Sequence, residues 1–142
     1  MTSEPLLLDT NILVHLVRRD GIGLQLKADY DLLLREPRPV ICAVSEGELR
    51  SLEFQFGWGM QKLQQSRYVL RYYQSIPIEE ENIFEAYAVL DSYSEGIGRP
   101  MGKNDLWIAT VAVSLDLHLL TTDRDFDHLV PGFLTATRIE IP

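Results

Sequence analysis

Short apolar runs alternate along this chain with longer stretches in which apolar residues recur every three or four positions. Residues 6–8, all leucine, predict a short buried strand. A helix over 11–18 follows, with Ile12, Leu13, Leu16 and Val17 on one face. Asp20-Gly21 breaks it, and 24–35 predicts a second helix, ended by Glu36-Pro37-Arg38-Pro39. Residues 40–44 are β-branched and apolar and predict a second strand. Helices over 45–56 and 60–73 flank the break Gly57-Trp58-Gly59. A brief strand at 76–78 leads to an amphipathic helix over 80–95, closed by Gly96-Ile97-Gly98-Arg99-Pro100. An apolar helix over 104–115, a strand at 118–121, a short helix over 123–129 and a last strand at 137–141 complete the pattern. Apolar strands alternating with helices predict an α/β fold of three layers: a short, mostly parallel central sheet covered by helices on both faces.

That topology gives the acidic residues their meaning. Crossover helices run antiparallel to the strands, so helix N-termini lie at the C-terminal edge of the sheet. Asp9 and Asp123 sit just past strand ends, Glu48 lies in the first turn after a strand, and Asp105 opens the helix before residues 118–121. All four are expected on one rim, where ligands bind in open α/β sheets. Close carboxylates resist joint ionisation unless a cation offsets their repulsion. A divalent metal supplies that charge and can activate water against a phosphodiester. Each acid alone also fits a helix cap, and Ser45-x-x-Glu48 reads as a capping box. Ser, Thr and Asn cap helices as well, so four carboxylates at one rim call for another explanation. Thr10, Asn11, Ser45 and Thr122 are candidates to orient the carboxylates or a water. Asp125 and Asp127 lie where they could reach the site from its edge.

Composition narrows the function. The 142 residues fit one domain, 1–142, with 46% apolar and 24% charged residues. No apolar run approaches the roughly 20 residues of a membrane span, and nothing before Leu6 has the basic region of a secretory signal. The single cysteine, Cys42, forbids an internal disulfide and reads as a buried small hydrophobe. These signs favour the cytoplasm. The formal net charge of −8 opposes binding of nucleic acid by bulk electrostatics, although a metal-dependent nuclease would use several acids as ligands. His15, His118 and His128 have no metal-binding spacing, and neither a nucleophile elbow nor a glycine-rich phosphate loop is present. Between Glu53 and Glu79 there is no acid, while Lys62, Arg67 and Arg71 stand among Phe54, Phe56, Trp58, Tyr68, Tyr72 and Tyr73. This segment is a candidate surface for a protein partner or RNA, and its aromatics equally fit ordinary core packing.

The motifs Leu8-Asp9-Thr10-Asn11, Ser45 with Glu48-Leu49, Asn104 to Ala109 and Leu120 to Phe126 occur in an order that resembles the PIN-domain ribonucleases. More closely, the chain resembles the toxin component of VapBC-type toxin–antitoxin pairs. The resemblance implies a compact α/β/α fold in which Asp9, Glu48, Asp105 and Asp123 bind Mg²⁺ or Mn²⁺ and carry catalysis. It also implies an RNA substrate, a small antitoxin as inhibitor, and a homodimer. Oxygen-only ligands suit Mg²⁺ or Mn²⁺ over zinc. Two other readings are a PIN nuclease serving RNA processing or repair, and a module that binds without catalysis. A phosphotransfer receiver domain also gathers acids at strand ends, but it needs a late lysine, and none follows Lys103.

Overall fold

The computed structural model describes residues 3–79 and 81–142. Five strands form its sheet: β1 (Leu6–Leu8), β2 (Val40–Cys42), β3 (Gln74–Ile76), β4 (His118–Thr121) and β5 (Ala136–Arg138). Their order is β3-β2-β1-β4-β5, and every neighbouring pair is parallel. The inner strands are buried on both faces, which is why they read as unbroken apolar runs. Leu6, Leu7 and Leu8 are 2%, 0% and 0% exposed. The edge strands β3 and β5 carry Gln74, Ser75, Thr137 and Arg138, so their apolar signal is weak. Each begins slightly earlier than its sequence pattern suggests, because pairing with β2 and β4 sets the register.

The helices are α1 (Thr10–Arg18), α2 (Gly21–Asp29), α3 (Ala43–Gln55), α4 (Met60–Tyr72), α5 (Glu81–Gly96) and α6 (Lys103–Ser114), with a 3-10 helix over Arg124–Leu129. Glu80, where the expected fifth helix begins, lies outside the described residues. Alternation along the strands divides the core in two. Leu6, Leu8, Ile41 and Leu120 pack with residues of α1 to α4. Leu7, Cys42 and Leu119 face the opposite way, against Leu90, Leu106, Ala109 and Phe126. The chain steps from β1 outward to β3, then returns to the other side of β1 for β4. With right-handed crossovers, that reversal puts the two sets of helices on opposite faces. It also makes the β1/β4 junction a topological switch point, where a crevice opens beyond the strand ends.

One helix departs from its pattern. The sequence predicts 24–35; α2 instead occupies Gly21–Asp29. Arg19, at a left-handed φ of 55°, ends α1, and Asp20 starts α2, its Oδ1 accepting from the Gly23 amide at 2.8 Å and its Oδ2 meeting His15 Nδ1 at 2.7 Å. Gly23 is required there, because a Cβ would stand 2.2 Å from the His15 carbonyl oxygen. The apolar spacing beyond Asp29 belongs to turns, and Asp31 takes a left-handed φ of 50° that ends helical continuation.

Candidate active site

The switch point gathers the four acids. Asp9 leaves β1 in extended conformation and caps α1. Its Oδ1 accepts from the Thr10 amide at 2.8 Å, and its Oδ2 accepts from Thr121 Oγ1 at 2.6 Å. Thr121 in turn accepts from the Asp123 amide at 3.0 Å, so one buried hydroxyl ties together the ends of β1 and β4. Asp123 begins the 3-10 helix, its Oδ1 accepting from the Asp125 amide at 2.9 Å. Glu48 comes from the second turn of α3 and accepts from Thr10 Oγ1 at 2.7 Å, while Ser45 Oγ lies 2.9 Å from the same hydroxyl. Asp105 projects from the first turn of α6, and among the described residues no hydrogen bond reaches its carboxylate.

The acids line a cavity of about 650 Å³; among the described residues no lysine or arginine lines it with them, and Lys103 lines the hollow beside it with Glu48, Asn104 and Asp105. Carboxylate oxygens of Asp105, Asp123 and Asp125 come within 4.8 Å of one another. The electrostatic result is strong. Burial, with added repulsion from Asp123 and Glu48, raises the Asp9 pKa to about 6, although the bonds from Thr121 and Thr10 oppose the rise. Burial first, and then the charges of Asp9, Asp123, Asp125 and Glu48, raise that of Asp105 to about 7. Mutually repelling oxygens gathered this closely favour the approach of positive charge. Its donor set suits a hard divalent cation: all oxygen, with neither Cys nor His among the residues lining the cavity.

The PIN domain family model matches residues 6–130. The chain belongs to the PIN-domain family. Solved structures similar to it include VapBC-1 from nontypeable Haemophilus influenzae, with 27% identity and a TM-score of 0.73 over 94% of this chain and 96% of that one. VapBC2 from Rickettsia felis, bound to a DNA fragment from its promoter, has 21% identity and a TM-score of 0.76 over 95% and 98% of the two chains. FitAcB from Neisseria gonorrhoeae has 23% identity and a TM-score of 0.75 over 94% and 96%. No curated protein matches the chain.

Within this PIN domain the surrounding candidates divide. Thr10 and Ser45 are buried and hydrogen-bonded in the site, and Asn11 lines the cavity. The capping-box reading of Ser45 and Glu48 does not hold: Cys42 occupies the cap position of α3, and both side chains turn to Thr10. Asp125 joins the acids, whereas Asp127 turns away to Arg138 Nε at 3.3 Å. The threonine that holds the carboxylates is Thr121; Thr122 neither lines the cavity nor makes a bond to them. Strand register explains the difference. Leu8 pairs with Leu120, which brings the next residue of each strand, Asp9 and Thr121, side by side. Asn104, beside Asp105, also lines the cavity and stood in the motif without an assigned role.

The three cations of the acid-free segment go to different surroundings. Arg67 lies 3.1 Å from Oε1 of Glu53, an acid only 4% exposed. Lys62 sits 5.9 Å from the centre of the Trp58 ring. Arg71 lines a separate hollow with Arg38 and Tyr72. Of the aromatics, Tyr73 is buried and Trp58 and Tyr72 pack against the core, as a scaffold role requires. Phe54, Phe56 and Tyr68 are exposed. His15, His118 and His128 bond to Asp20, to Thr135 and Thr137, and to Ser94, all away from the acids.

Proposed function

We propose that this PIN domain is a metal-dependent endoribonuclease and the toxin of a type II toxin–antitoxin pair. The observation that carries the reading is the convergence of Asp9, Glu48, Asp105 and Asp123 on one cavity at the switch point of the sheet. Asp9, Glu48, Asp105 and Asp123 would hold Mg²⁺ or Mn²⁺, joined by Asp125, whose carboxylate lies within 4.8 Å of those of Asp105 and Asp123. Such an ion supplies charge against a phosphate oxygen and makes a more acidic water available as nucleophile. The protein's own part is to fix donors in advance. Thr121 holds Asp9 from one side and Thr10 holds Glu48 from the other, so little reorganisation remains when substrate arrives. Asp105, held by no hydrogen bond among the described residues, can swing to its ligand or accept a proton.

The toxin reading is supported by whole-length similarity to the VapBC structures. The antitoxin would cover apolar surface near α3 and α4 and send an arginine toward the acids, since a planar guanidinium binds carboxylates in pairs. The test is direct. Purified protein without partner should cut RNA with Mg²⁺ or Mn²⁺ and stop with a chelator. Cleavage indifferent to chelation would overturn the metal mechanism. Induction in cells should arrest growth, and Asp9→Asn should abolish the arrest. Normal growth with soluble, active enzyme would instead favour a processing nuclease.

A further inference from the structure

The cavity that holds the acids is larger than an ion and its waters need, and its lining has two unlike ends. One end is carboxylate. The other, along α3, is Gly47, Ser51, Leu52 and Gln55, uncharged throughout. Gly47, Ser51 and Gln55 are four residues apart, so they share one face of the helix. They run about 12 Å from beside Glu48 to the end of α3 at 1.5 Å per residue.

Gly47 is the informative residue. Glycine inside a helix weakens it, because the unfolded chain has more freedom to lose. Here neither conformation nor packing demands it: φ is ordinary, and an added Cβ would meet nothing within 4 Å. What glycine does is keep the cavity open directly beside Glu48. At the far end, Gln55 Nε2 donates to Ser51 Oγ at 2.8 Å, which orients the amide. Its Oε1 and second N–H make no hydrogen bond among the described residues. A donor and an acceptor side by side on a planar amide are the groups that read the edge of a base.

We infer that the α3 end of the cavity is a nucleobase subsite, with Gln55 as its specificity-determining residue and Gly47 as the opening that admits the nucleotide. This rests on the nuclease reading: the phosphate goes to the acids and the neighbouring base to α3. The base must be unpaired, because a side chain in a cavity reads only a base splayed from its strand.

The experiment compares wild type, Gly47→Leu and Gln55→Leu on a randomised single-stranded RNA pool and on duplex RNA, both with Mg²⁺, with cleavage ends sequenced. A thermal melt with and without Mg²⁺ follows each protein. Gly47→Leu should raise KM about tenfold or more by filling the subsite, with no loss of melting temperature and an unchanged Mg²⁺ shift. Gln55→Leu should change the nucleotide preference at one position beside the cut. Duplex RNA should be a poor substrate. Wild-type KM and cleavage sites in both variants, or duplex cut as well as single strands, would overturn the subsite and leave the nuclease reading standing. No cleavage by wild type of any RNA would overturn both.

Discussion

Two regions of this molecule leave something unpaired, and they leave opposite things. At the β1/β4 rim, Asp9, Glu48 and Asp123 are held by hydrogen bonds, yet among the described residues no cation lines the cavity with the acids; Lys103 lines only the hollow beside it. In the α3–α4 segment two of the three cations have partners, Arg67 beside Glu53 and Lys62 over Trp58, and Arg18 of α1 reaches across to the Phe56 ring at 5.1 Å. There it is apolar surface that is uncovered, with Phe54 85%, Met60 72% and Tyr68 53% exposed. Unpaired charge in a held frame is satisfied by an ion. Exposed apolar side chains rimmed by polar ones are satisfied by another macromolecule. The two regions therefore point to different kinds of ligand, although α3 contributes to both.

The comparison breaks most sharply at the acids. Asp9→Asn or Asp105→Asn should lower RNA cleavage by roughly two to three orders of magnitude, as loss of a charged group that stabilises the transition state does. Single-turnover rates at saturating Mg²⁺ measure this, with a melt to show that the fold persists. In the other region the largest effect is on the fold. Arg67→Glu faces a buried carboxylate with a like charge. Removing a partner from a buried pair costs about 3–5 kcal/mol, and because Arg67 is itself half exposed we expect about 2. Arg71→Glu should stay within about 0.5 kcal/mol, so urea unfolding separates two arginines that look alike in sequence. Phe54→Ser and Met60→Ser should leave stability near wild type while weakening a bound antitoxin by about 1–2 kcal/mol each, read by calorimetric titration. Unaltered affinity would move the partner surface elsewhere.

The difference between Arg67 and Arg71 shows what the sequence can carry. The strands nearest the centre, and Asp9, Glu48, Asp105 and Asp123 as a set, were legible because burial on both faces and position after a strand leave local marks. Thr121 was not, because its role depends on which residue of β4 lies beside Asp9, and that is set by pairing across more than a hundred positions. The bond of Arg67, read as a candidate contact for a partner or RNA, was hidden for the same reason: Glu53 sits on another helix and marks only the edge of an acid-free stretch. The α2 boundary failed differently. Asp20-Gly21 reads as a breaker, but Arg19 closes the first helix and Asp20 caps the next, which a pattern of breakers does not record.

Acidity gives a milder test of the rim. The Asp9 and Asp105 pKa values, about 6 and about 7, lie above the ordinary 3.8. Between roughly pH 4 and 7 the folded protein then binds more protons at these sites than the unfolded chain, so stability falls as pH rises through that window. Metal-free protein should melt a few degrees lower at pH 8 than at pH 5.5. Mg²⁺ should restore most of the loss, and Asp9→Asn with Asp105→Asn should flatten the slope. A metal-free melt that rises steadily from pH 5.5 to 8 would mean that the acids are not strained by one another.

The smallest effect isolates the helix that serves both regions. Gly47 weakens α3 without a steric reason, so Gly47→Ala should stabilise the protein by about 0.5–1 kcal/mol. The methyl group enters open space, which makes the gain purely one of chain freedom and propensity. A denaturant midpoint that rises with an unchanged m-value would show this. The same substitution at Gly23 should do the reverse, since its Cβ would strike the His15 carbonyl. If Gly47→Ala instead destabilised, the cavity wall beside Glu48 would be tighter than it stands here, and the rim would owe its openness to something other than a missing side chain.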